Sequence, residues 1–213
     1  MKLNTARPAE VYHNAAGALL FIAGVIIILG IITAEALYPG YSTLQNMISD
    51  LGATMPPHSV IVEPSATIFN LTMIISGLCM IVSSGLIHRA FGTASVTATL
   101  VLSGTGVLGV GVFPGNYGNI HAIFALLAFF FGGLAAMMSY KVVSSPFRYF
   151  SLALGAIALG DLLLYYILGQ GSPFAILSMG GLERWIAYPV VLWITGFGGY
   201  LMGHAQAGAE DIL

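Results

Sequence analysis

Few side chains in this sequence carry chemistry, so they can be weighed one at a time. Asp161 is the only formal charge inside a long apolar run. A charge held in hydrocarbon costs at least ~2.5–3.5 kcal/mol unless it is paired or wet, so Asp161 is a site candidate. Asn70, His121, Glu183 and Arg184 stand near the ends of apolar runs, Asp50 lies in the long connection between two of them, and Tyr165 and Tyr166 lie a turn from Asp161. Three uses compete for them. They form a polar pocket for a lipid headgroup or small solute. Or Asp50, His121, Asp161 and Glu183 do acid–base work in an intramembrane hydrolase or lipid-modifying enzyme. Or Arg184 simply pairs with Asp161 or Asp50 and pins helices together, with Glu183 complementing a helix dipole. Pinning and a pocket built on the same network are weighed nearly equally, pinning slightly ahead, and both ahead of catalysis; catalytic residues are not assigned.

Other motifs add little. His13, His88 and His204 sit at one set of run ends and are weak candidates for zinc. No close His spacing supports that metal, and no cofactor is expected. Gly104-Thr-Gly106-Val-Leu-Gly109 matches a dinucleotide fingerprint but lies in mid-run, with no strand before it. It reads instead as close helix packing, as do Gly132-x-x-x-Ala136, Ala156-x-x-x-Gly160 and Gly199-x-x-x-Gly203, within one chain or between copies. Gly-x-Ser-x-Gly is absent. Ser76, Ser83, Ser84 and Ser103 are expected to hydrogen-bond along their own helix or to a neighbour. Cys79, the single cysteine, excludes an intrachain disulfide.

Composition determines what positions these residues. The 213 residues include 6 Lys+Arg and 8 Asp+Glu, so 7% are charged. An ordinary soluble domain carries about 25%. The hydrophobic fraction is 58%, with 27 glycines besides. These values exclude a soluble globular domain and a disordered chain. A net charge of −2 with scattered bases offers nucleic acid no phosphate-binding patch. The chain reads as an integral membrane protein forming one domain over residues 1–213.

Six apolar runs reach the roughly 20 residues needed to cross a bilayer: Ala15–Ala34, Ser65–Ile87, Ala94–Phe113, Ile120–Tyr140, Phe150–Gly169 and Trp185–Gly203. None alternates at period two, which argues against a membrane barrel. The predicted fold is an all-α, six-transmembrane-helix bundle. The first run exceeds a secretory h-region and is expected to be retained. Lys2, Arg7, Arg89, Lys141 and Arg148 fall on one side and only Arg184 on the other. By the positive-inside rule both termini are expected in the cytoplasm of a cell membrane. Asp161 then lies eight residues from the outer end of its run, about 12 Å deep at helical rise.

The longest connection, residues 35–64, is expected to carry structure of its own. Leu44, Met47, Ile48 and Leu51 recur at helical spacing, and Ser42 and Gln45 have capping-box spacing. A short amphipathic helix over 42–51 is therefore expected in the first extracytoplasmic loop, along the membrane surface or capping the bundle.

Tyr41-Ser42 followed by Asn46-Met-Ile-Ser-Asp-Leu-Gly52 is the most distinctive stretch. With Phe69-Asn70, Phe113-Pro114-Gly115, His121 and Gly181-Leu-Glu-Arg184 it resembles a prokaryotic membrane family catalogued as domain of unknown function 998. The resemblance implies six membrane-spanning helices and no reaction. The inner half of the spans carries no acid or base to complete a path across the membrane. A one-sided site is thus favoured, in a carrier, a sensor or an accessory subunit. The partners expected are membrane lipid and, through small-residue faces, a second copy or another membrane protein.

Overall fold

The computed structural model describes residues 8–210. Six helices carry the chain: α1 Pro8–Ala36, α2 Ser65–Phe91, α3 Ala94–Val112, α4 Asn119–Met138, α5 Phe147–Leu168 and α6 Ser178–Glu210. All six are long and apolar enough to cross a membrane. No strand occurs among the described residues. This is the expected all-α six-span bundle, and the protein is a multi-pass membrane protein. The backbone reason is that each helix satisfies its own N–H and C=O groups where lipid offers no partner. Helices α1 and α6 run well past the apolar stretches, because apolarity marks only the part facing lipid. Glu183 and Arg184, expected at the mouth of the last span, therefore lie in the second turn of α6.

Consecutive helices pack side by side, and α6 returns to α1 and closes the ring. Helix α4 also touches α6 directly, with α5 packed against both. A central cavity of about 80 Å³ is lined by α1, α2, α3, α4 and α6 and by no residue of α5. Its walls are apolar apart from Ser49, Ser103 and Glu183.

Close approach of helices replaces a hydrophobic driving force that lipid cannot supply. A Cβ on Gly106 would stand 2.2 Å from the backbone nitrogen of Ala128, so α3 and α4 meet there only because the residue is glycine. The Gly104–Gly109 motif is thus an intrachain packing device. Gly132 also packs within the chain, whereas Gly160, Gly199 and Gly203 have nothing near them. Serines behave as expected. Ser76 and Ser83 donate to carbonyls of Ala23 and Ala16 on α1, Ser103 donates to Ala128 on α4, and Ser84 bonds within its own helix.

The expected amphipathic helix over 42–51 does not form. The segment is a set of turns ending in one 3-10 turn, Ile48–Leu51. Ile48 and Leu51 are buried, Met47 is half-buried and Leu44 is 53% exposed. A helix would need the Met47, Ile48 and Ser49 N–H groups for its own ladder. Here Asp50 takes the first and Glu183 the other two. Arg184 takes the Thr43 and Asn46 carbonyls. Side-chain partners have outcompeted the local ladder.

Candidate functional site

Arg184 is the hub of one end of the bundle. It sits on α6 with a side chain 11% exposed. One guanidinium nitrogen donates to the carbonyls of Thr43 at 2.9 Å, Asn46 at 3.1 Å and Gly180 at 2.8 Å. The other donates to Glu35 Oε1 at 2.5 Å and to the Tyr41 hydroxyl at 2.8 Å. Only the fixed fork of a guanidinium can serve both sets. The Tyr41 hydroxyl in turn donates to the Met47 carbonyl at 2.8 Å. Burial pushes that hydroxyl well above its ordinary range, against the pull of Arg184, so it keeps its proton. Gly180 lets the loop come close: a Cβ there would stand 2.4 Å from the Asn46 carbonyl oxygen.

The expected Arg184–Asp161 and Arg184–Asp50 pairs are therefore wrong. Arg184 pairs with Glu35, which sequence reasoning passed over. Glu35 lies in the last turn of α1, the first acid after an apolar run. That placement was the available signal. Nothing in the sequence says that α1 and α6 are neighbours.

Glu183 projects from the same turn of α6 and is 8% exposed. Its Oε2 accepts the Ile48 N–H and, at 3.2 Å, the Ser49 N–H. It is thus fixed to the loop rather than to its own helix end. Asp50 accepts the Met47 N–H at 2.9 Å and the Asn46 amide at 3.5 Å. Burial raises the pKa of Asp50, opposed by those two hydrogen bonds and by the nearby His121.

His121 opens α4 and is 4% exposed. Its Nδ1 lies 2.8 Å from the Phe113 carbonyl oxygen, and a carbonyl can only accept. Nδ1 therefore carries the proton, and in the neutral ring Nε2 is an acceptor. Nε2 is buried and has no partner among the described residues. Asn70 lies apart, against the loop, where a Cβ on Gly52 would stand 2.4 Å from its Oδ1. The Tyr165 hydroxyl donates to the Met179 sulfur at 3.0 Å.

Asp161 is 1% exposed, and neither carboxyl oxygen has a partner among the described residues. A buried polar group left unpaired costs roughly 1–3 kcal/mol. Asp161→Leu, which keeps the bulk and removes the polar atoms, is expected to raise stability against detergent unfolding by about that amount. An unfolding titration in mixed micelles checks this. A clear loss of stability in the variant would show that Asp161 has a partner in the fold.

A second cavity, of about 200 Å³, lies between the loop, α4, α5 and α6. His121, Tyr165 and Glu183 line it, with Leu126, Phe129 and Ile186 among the apolar walls. It shares Ser49, Ala125, Phe129 and Glu183 with the central cavity, so Glu183 stands at their junction. Asp161 is one helical turn from Tyr165 on the same face of α5. Arg184 instead lines a separate groove with Thr43, Trp185 and Tyr188. Of the sequence candidates, His121, Tyr165 and Glu183 share one pocket. Asp50 interacts electrostatically with His121, Asp161 lies a turn from Tyr165 on α5, Arg184 bonds to the loop, and Asn70 packs against it at Gly52.

Of the three histidines considered for zinc, two have described side chains. The His13 ring packs on Phe91 at 4.6 Å, and His88 lies exposed in the last turn of α2. The side chain of His204 lies outside the described residues. Among the described residues no three His, Cys, Asp or Glu side chains are placed to hold a metal.

Neither a curated protein nor a solved structure matches the chain. A family model does, over residues 13–200, and its description is "Protein of unknown function (DUF998)". That stretch includes the loop, the Arg184 hub and every residue lining the lateral pocket, and the chain belongs to that family.

Proposed function

We propose that this multi-pass membrane protein binds an amphiphilic membrane molecule in the pocket between the loop, α4, α5 and α6. The observation that carries this reading is the pocket's division. The pocket gathers His121, Tyr165 and Glu183; apart from Ser49 and Tyr166 the rest of its lining is apolar, and Ala125 and Phe129 also line the central cavity. Binding sites for small molecules combine apolar walls with a few placed polar groups in this way. The acid–base alternative finds less support. Glu183 and Asp50 are both committed to backbone N–H groups of the loop, and general-acid work needs a group within reach of substrate.

Arg89, Lys141 and Arg148 lie at the bundle end opposite the loop. By the positive-inside rule that end is cytoplasmic, and the pocket opens in the outer half of the cell membrane. A carrier or a sensor fits a one-sided pocket.

The test is photolabelling in phosphatidylcholine vesicles with dodecyl chains bearing a diazirine, one probe with a hydroxyl head and one with a phosphate head. The expected result is adduct on α4 and α6 near Phe129 and Ile186 from at least one probe. Ala125→Phe, which fills the shared part of both cavities, should abolish that adduct without affecting the loop's hydrogen bonds. Adduct confined to lipid-facing positions such as Leu29, Leu78 and Val82 would contradict the reading.

A further inference from the structure

Resting on that pocket reading, we infer that the ligand is a single-chain amphiphile whose head donates hydrogen bonds and carries no negative charge: an ammonium or a hydroxyl. Besides the hydroxyls of Ser49, Tyr165 and Tyr166, the polar side chains lining the pocket are acceptors. His121 spends its one N–H on the Phe113 carbonyl, which leaves a buried Nε2 with a lone pair and no partner. The Glu183 carboxyl stands at the back of the pocket. A head rich in N–H or O–H satisfies these atoms; a phosphate or carboxylate head adds acceptors where acceptors already go unpaired.

Charge points the same way. No lysine or arginine lines the pocket. The nearest base in sequence to Glu183 is Arg184, and its two terminal nitrogens already serve three carbonyls, Glu35 and Tyr41. An anionic head would enter facing the Glu183 carboxyl without a lysine or arginine beside it, and like charges at a desolvated contact are strongly disfavoured.

The tail follows from the cavities. The central cavity, which shares Phe129 with the pocket, measures about 80 Å³ in the ring of five helices. By the same measure one water needs about 10–15 Å³, so the space holds the end of one chain and not two.

The experiment is competition against whichever photoprobe labels the pocket, in phosphatidylcholine vesicles at equal mole fractions of dodecylamine, dodecanol or dodecyl phosphate. Dodecylamine and dodecanol are expected to protect at least about tenfold better than dodecyl phosphate, since each tenfold reflects only ~1.4 kcal/mol. His121→Leu, which removes the unpartnered Nε2, should narrow that ratio. Protection by dodecyl phosphate equal to or better than the amine would overturn the head-group assignment and leave the pocket standing. A pocket that takes no label from either probe would overturn the pocket itself and this inference with it.

Discussion

Arg184→Met is expected to cost about 3–5 kcal/mol of stability. The substitution leaves the Glu35 carboxylate, only 20% exposed, without its partner. It also strands the carbonyls of Thr43, Asn46 and Gly180. Arg184→Lys should recover little, because a single ammonium cannot reach the carbonyls and the Glu35–Tyr41 side together. Unfolding titrations in mixed micelles measure both variants. Parent-like stability in Arg184→Lys would mean that charge alone, rather than the fork, holds the loop.

Glu183→Ala comes next. Two buried N–H groups, of Ile48 and Ser49, lose their acceptor. At roughly 1–3 kcal/mol for each orphaned group the expected cost is about 2–6 kcal/mol. Glu183→Gln should cost much less, since its amide oxygen still accepts. Proteolysis within residues 37–64 should accelerate in the alanine variant and not in the glutamine one. Equal cleavage of alanine variant and parent would show that the 3-10 turn does not depend on Glu183.

The spans were legible in the sequence because lipid imposes one rule on every residue of a run. Length and apolarity alone place Ser65–Ile87 and Ala94–Phe113 within a few residues of α2 and α3. The loop was not legible for the opposite reason. Leu44, Met47, Ile48 and Leu51 have true helical spacing, and a local reading has no cause to reject it. What rejects it is Glu183 and Arg184, more than 130 positions later, taking the N–H and C=O groups the helix would use. The same gap hid the Glu35 partner of Arg184. His121, Glu183 and Tyr165, which residue type and depth group together, line one cavity because all three lie at one end of adjoining helices. Type and depth could not say which way Arg184 faces around α6, and so paired it with Asp161.

The most distinctive residues of the chain now have a common physical role. Tyr41, Asn46, Asp50, Gly52, Glu183 and Arg184 fold one loop over one end of the bundle, and that loop forms a wall of the pocket. The double-mutant cycle on Arg184 tests this arrangement most directly. Glu35→Gln with Arg184→Gln should show a coupling of roughly 1–3 kcal/mol, while Asp161→Asn with Arg184→Gln should be additive within about 0.3–0.5 kcal/mol. Coupling of Arg184 to Asp161, with additivity toward Glu35, would contradict the hub and the pocket built beside it.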